Sequence, residues 1–131
     1  MTTTTLTPVN AQGAPAAAAS YSHAMKANNL VFVSGQVPLT ADNKMLEGSI
    51  AEKAEQVITN IKTILAASNS ALDRVVKCNI FLADINNFAE FNTVYAKHFH
   101  DHKPARSCVA VAALPLNADL EMEVIAVEND N

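Results

Sequence analysis

The chain has 131 residues, of which half are hydrophobic and 17% charged, enough apolar content for one packed domain and too much for a disordered one. Its net charge of −4 provides no broad basic footprint for a nucleic-acid backbone. No apolar run approaches the length of a membrane span, and with no Trp and 5% aromatics the core falls to Val, Ile, Leu and Ala.

Residues 1–20 mix Thr, Ala, Pro8, Gly13 and Pro15, and read as a partly extended, partly looped segment with a short strand near Leu6 to Val9. Tyr21 to Ala27 reads as a strand, closed by the turn signal Asn28-Asn29. Leu30-Val31-Phe32-Val33 is apolar on both faces and predicts a strand buried from both sides. It ends at Ser34-Gly35-Gln36, where Gly35 permits a bulge or close approach of the backbone to another group. Pro38 to Gly48 is a loop. Ser49-Ile50-Ala51-Glu52 has the form of a capping box and opens a helix. The apolar stripe of that helix is Ile50, Ala54, Val57, Ile58, Ile61, Ile64 and Leu65, and Ala66 to Ser70 closes it. Arg74 to Ala83 predicts a second buried strand, with Val76, Cys78, Ile80 and Leu82 on one face and Val75 and Phe81 on the other. Asn87 to Glu90 starts a second helix with Phe88, Phe91, Tyr95 and Phe99 inward, ended by Lys103-Pro104. Strands over Ser107 to Ala113 and Leu120 to Glu128 complete the chain.

This order predicts a single α+β domain over residues 1–131, one sheet with two helices on one face. Two helices cover only one side of a sheet whose strands are apolar on both. The other side therefore needs a partner, and a second copy of the chain is the simplest one.

The most telling stretch is Pro104-Ala105-Arg106-Ser107-Cys108, which sets a guanidinium at the mouth of an apolar strand. Strand alternation puts Arg106, Cys108, Ala110 and Ala112 on one face and Val109, Val111 and Ala113 on the other. A planar fork of donors beside a shallow apolar floor suits a small carboxylate. Glu121 and Glu123 share a face of the last strand. Alone, such carboxylates face solvent or pair across a sheet, and alone Arg106 caps a helix end or pairs with Asp101. If the two last strands are neighbours, a carboxylate comes near the arginine. Cys108 has no evident base and reads more simply as a small core residue than as a nucleophile. His98, His100 and His102 crowd a helix end, where favourable dipole interaction competes with metal binding as the reason. His23 carries no specific signal, and nothing resembles a phosphate-binding loop, a dinucleotide fingerprint or a Ser-His-Asp order.

Cys78 and Cys108 are the only cysteines, each inside a strand-like run, which suits a reducing compartment. The first basic residue is Lys26, so the leading residues lack the Arg of a mitochondrial transit peptide and the basic head of a secretory signal. A cytoplasmic protein is expected, a nuclear pool being compatible and a mitochondrial one disfavoured.

Several segments together resemble the reactive intermediate deaminases, the RidA or YjgF family, and most of all its fungal cytosolic members. They are Ala14-Pro15, Tyr21-Ser22, Leu30 to Pro38, Asn79-Ile80-Phe81-Leu82, Phe88 to Tyr95, Pro104 to Ser107 and Glu121-Met122-Glu123, in order and across nearly the whole chain. The resemblance implies a chorismate-mutase-like subunit in a homotrimer, with sheets inward, helices outward and clefts between neighbours. It implies hydrolysis of 2-iminopropanoate and 2-iminobutanoate, released as enamines by pyridoxal-phosphate dehydratases, to 2-oxo acids and ammonia, with no cofactor and no metal. By the same resemblance Arg106 clamps the carboxylate and Glu121 orients the attacking water, with Glu123 at a less critical position. Tyr21, Ser34, Gly35, Asn92 and Cys108 line the cleft. The chain departs from many members at Ala19-Ser20 and at His23. A trimer that binds small carboxylates without catalysis is the alternative. An RNA-cleaving role has also been attached to the family, and the acidic charge and lack of basic–aromatic clusters weigh against it, as they do against any nucleic-acid partner.

Overall fold

The computed structural model describes residues 3–130. Six strands form one mixed sheet: β1 Thr7–Val9, β2 Ala24–Ala27, β3 Leu30–Gln36, β4 Val75–Leu82, β5 Ala105–Ala110 and β6 Leu120–Val127. Their order across the sheet is β1-β2-β3-β6-β4-β5. Two helices, α1 Ile50–Ala67 and α2 Phe88–His98, pack on one face. The predicted layout of one sheet and two helices is what forms.

Local chemistry explains most boundaries. Asn28 and Asn29 both take left-handed φ values, 51° and 65°, which twist a two-residue turn to match the β2–β3 hairpin. The capping box at α1 is complete: Ser49 accepts from the Glu52 N–H, and Glu52 accepts from the Ser49 N–H. Glu90 on α2 takes the Ala51 N–H at 2.8 Å, which also ties the two helices together. Helix α1 buries Ala54, Val57, Ile58, Ile61, Ile64 and Leu65 as its periodicity requires, each large aliphatic side chain contributing about 1.5–3 kcal/mol. Helix α2 stops at His98, five residues before Lys103-Pro104, so the proline is not what ends it.

Three expectations about the strands need correction as well. The strand expected to begin at Tyr21 begins at Ala24, because the residues before it bond elsewhere. The His23 N–H goes to Asn10, and its buried ring accepts from the Ala11 N–H at Nδ1 and donates from Nε2 to the Pro15 carbonyl. Those two bonds orient the ring, Nδ1 accepting and Nε2 donating, and they staple the N-terminal segment to the sheet. In β4 it is Val75 that is buried while Val76 is 44% exposed, because a register shift between Val75 and Lys77 reverses the alternation there. Strand β5 ends at Ala110, since β4 ends at Leu82 and the last bond between them is Val111 N–H to the Leu82 carbonyl. Ala112 and Ala113 lie beyond the strand.

The second face of the sheet is open. Met25, Phe32 and Ile125 form one row across β2, β3 and β6, and Val109, Phe81 and Glu121 form another across β5, β4 and β6. Phe32 is 43% and Val109 47% exposed, so an apolar surface lies uncovered on one chain.

Candidate active site

The predicted site residues fall into two groups, one on each face of the sheet. Leu120, Met122, Val124 and Ala126 on β6 point to the helices, so Glu121 and Glu123 point to the open face. Glu121 lies against Gly35, and the two meet because β3 bulges between Val33 and Gln36. A Cβ at position 35 would sit 2.7 Å from the Glu121 Oε1 atom, so only glycine leaves that space. Ser34 donates its hydroxyl to the Ser22 carbonyl at 2.7 Å, and Tyr21 is 44% exposed beside it. Tyr21, Ser34, Gly35, Glu121 and Glu123 line one cavity of about 420 Å³, whose apolar wall is Val37, Leu39, Pro115 and Leu116. Buried Asn60 of α1 holds part of that wall by donating to the Leu39 carbonyl at 2.9 Å.

Burial raises the Glu121 carboxyl above the usual carboxylate range, and the neighbouring charge of Glu123 raises it further. Glu123 itself accepts from Asn79 at 3.2 Å.

Arg106 belongs to the second group. It pairs in register with Cys78, which is wholly buried under the helices, so its side chain leaves the sheet on the helix side. There the guanidinium lies 4.7 Å from the centre of the Tyr95 ring and 5.7 Å from that of Phe88, and donates to Asn92 at 2.6 Å. Asn92, Tyr95 and Phe99 stand three and four residues apart on and just past α2 and so make one platform. A second hollow of about 250 Å³, lined by Asn92, Tyr95, Phe99, Pro104 and Arg106, opens at this edge. Asn92 is the one side-chain hydrogen-bond partner of Arg106 among the described residues, and Asp101 contacts His100 instead. The fork is therefore largely free for an anion. Cys108 shares the arginine's face; burial pushes its thiol up, against a smaller lowering by Arg106. Burial likewise raises Cys78 and Tyr95, whose hydroxyl sits beside the Cys78 thiol.

The expectation that the two last strands are neighbours fails. Helix α2 is a crossover that returns β5 parallel to β4, at the sheet edge, while β6 inserts between β3 and β4. Arg106 and Glu121 stand two strands apart and on opposite faces, so one chain does not bring them to one small ligand.

The histidines disperse. His98 meets Glu55 at 2.9 Å, His102 the Val75 carbonyl, and His100 the exposed Asp101. Among the described residues no three His, Cys, Asp or Glu side chains gather as a metal site would require. A surface hollow of about 550 Å³ is lined by Thr3 to Thr5 and the Lys26–Glu128 ion pair, and holds none of the predicted site residues.

Residues 11–128 match the family described as Endoribonuclease L-PSP. The chain belongs to this family. It is 76% identical over 127 residues to Protein HMF1 of Saccharomyces cerevisiae, covering 97% of this chain and 98% of that protein. The crystal structure of yeast Mmf1, a protein named as mitochondrial, superposes with a TM-score of 0.94 at 74% identity, over 95% of this chain and all of that one. The chain is also 41% identical over 116 residues to the 2-iminobutanoate/2-iminopropanoate deaminase of Bos taurus, covering 88% of this chain and 85% of that protein. The family therefore includes reactive intermediate deaminases, as the resemblance implied, and its architecture is the one described above.

Sequence reasoning missed two contributors. Tyr95 was read only as a core residue, although it lies three positions from Asn92 on the same helix face. Leu116 carries no sequence signal, since a left-handed backbone, φ 58°, accompanies its place in the cavity lining.

Proposed function

We propose that this protein hydrolyses 2-iminopropanoate and 2-iminobutanoate to the 2-oxo acids and ammonia, in clefts between the copies of a homotrimer, without a cofactor. The observation that carries this reading is the position of Arg106: its guanidinium is stacked, oriented and open to an anion at the edge of the sheet. Glu121 and its cavity lie on the face that one chain leaves uncovered. A second copy docked on that face would present its own edge, and with it the arginine, to the first copy's carboxylate.

In such a cleft Arg106 takes the substrate carboxylate in two parallel hydrogen bonds, with Asn92 and the Tyr95 ring holding the fork in place. Glu121 holds a water by one hydrogen bond. The water oxygen adds to the C=N carbon while its proton passes to Glu121, giving a carbinolamine. Glu121 returns that proton to the nitrogen, the C–N bond breaks with ammonia leaving, and the hydroxyl proton passes to Glu121 as the carbonyl forms. A carboxyl raised by burial and by Glu123 suits this task, being a stronger base than an ordinary glutamate. Tyr21, Ser34, Gly35 and Cys108 act as cleft walls, and no covalent nucleophile is needed.

Arg106→Ala should abolish imine turnover, assayed with a threonine dehydratase generating the imine, while the protein stays folded and assembled. Full activity in Arg106→Ala would overturn the reading. Binding of 2-oxobutanoate without turnover by the wild type would favour a carboxylate-binding trimer instead. Two free cysteines support a reducing, cytoplasmic location, which fractionation of cells expressing the full chain checks.

A further inference from the structure

Leu116 occupies a place that folding alone would not give to a leucine. Its backbone is left-handed, with φ 58° and ψ 24°, and Asn117 follows at φ 56°. That region costs a residue bearing a branched side chain, whereas glycine or asparagine enters it readily. Packing within its own chain does not repay the cost, since the Leu116 side chain is 58% exposed there. The turn is held from its flanks instead: buried Ala118 and half-buried Leu114 pack with Val37, Leu39 and Met45, and the Asn117 and Ala118 N–H groups bond back to the Leu114 and Pro115 carbonyls. What the strained conformation does within one chain is set an aliphatic side chain in the lining of the Glu121 cavity, which Tyr21, Val37 and Leu39 share. Strain without a packing return, located at a cavity, points to a role in what the cavity holds.

We propose that Leu116 is a specificity-determining residue, the wall against which the alkyl side chain of the bound 2-imino acid rests. This rests on the reading of the cavity as the deaminase cleft. A 2-imino acid held by its carboxylate, with its C=N carbon near Glu121, has one remaining substituent, and an aliphatic wall favours that substituent in proportion to its apolar surface. Leu116 therefore matters little for a methyl group and much for a branched four-carbon chain.

The test uses Leu116→Gly and Leu116→Asn, both compatible with the left-handed backbone. Turnover is followed on 2-iminopropanoate and on 2-imino-4-methylpentanoate, generated by an amino-acid oxidase from alanine and leucine. Binding of pyruvate and 4-methyl-2-oxopentanoate is measured by calorimetry. The expected result is a loss of about tenfold in kcat/KM and affinity for the branched ligand, against less than about twofold for the methyl one, the discrimination a small apolar contact supplies. The unfolding temperature should not fall, because strain is relieved and no contact buried within the chain is lost. An equal loss on both ligands, no loss on either, or a clear drop in unfolding temperature overturns the role of Leu116. Failure of the underlying reading shows separately: wild-type protein without imine turnover refutes the deaminase, while the ratio of the two binding constants still decides Leu116.

Discussion

Replacing Gly35 by alanine would displace one carboxylate and little else. The new Cβ would stand 2.7 Å from Glu121 Oε1, 2.8 Å from Cδ and 3.1 Å from Cγ, all atoms of one flexible side chain. Ordinary contact begins near 3.4 Å, so the carboxylate must retreat by about 0.7 Å. Gly35 is not among the residues with positive φ, so alanine accepts its backbone, and the smaller unfolded-state entropy offsets the adjustment by about 0.4–1 kcal/mol. Stability should therefore change by less than about 1 kcal/mol, read from urea unfolding. Catalysis should not be spared, because a misplacement approaching 1 Å costs up to about a hundredfold, roughly 2.7 kcal/mol of barrier. The dehydratase-coupled assay would show that loss in kcat, with 2-oxobutanoate binding nearly unchanged because Arg106 is untouched. Undiminished turnover in Gly35→Ala would refute the reasoning that Glu121 must lie where glycine lets it lie.

Two further outcomes follow from the same geometry. Phe32→Asp places a charge in the exposed row with Met25 and Ile125, and should convert the assembly to monomers in light scattering while the far-ultraviolet dichroism of the chain persists. Glu121→Gln tests the raised carboxyl. A group whose pKa is higher in the folded than in the unfolded state makes the native protein bind more protons, so stability falls as pH rises through that range. The glutamine variant should unfold at a higher temperature than wild type at pH 7, and the difference should close below pH about 4.5, the group's ordinary value. A difference independent of pH would mean that burial and Glu123 do not perturb Glu121.

Much of the fold was legible because local signals agreed with one another. The capping box at Ser49, the seven-residue stripe of α1 and the Asn28-Asn29 turn each had a mechanism that tertiary packing left intact. What failed was non-local. Nothing in the order of segments says that β6 inserts between β3 and β4, and the presumed neighbourhood of the last two strands had no local warrant. The bulge at Val75–Lys77 exchanged Val76 for Val75 in the core because one extra residue reverses every face after it. His23 gave no signal, since its partners Ala11 and Pro15 are backbone groups that no side-chain pattern reveals. Of the candidate site, Gly35 and Arg106 were readable from their own chemistry. Pairing Arg106 with Glu121 was not, because their meeting depends on a second chain.

That meeting is the central claim, and mixing two inactive variants tests it most directly. Arg106→Ala retains the carboxylate and Glu121→Gln retains the guanidinium. If each cleft draws one group from each of two copies, co-assembly at equal amounts rebuilds about a quarter of the clefts. The account predicts that imine turnover, absent from either variant alone, returns to about a quarter of the wild-type value in the mixture. A co-assembled mixture as inactive as its parents would contradict it.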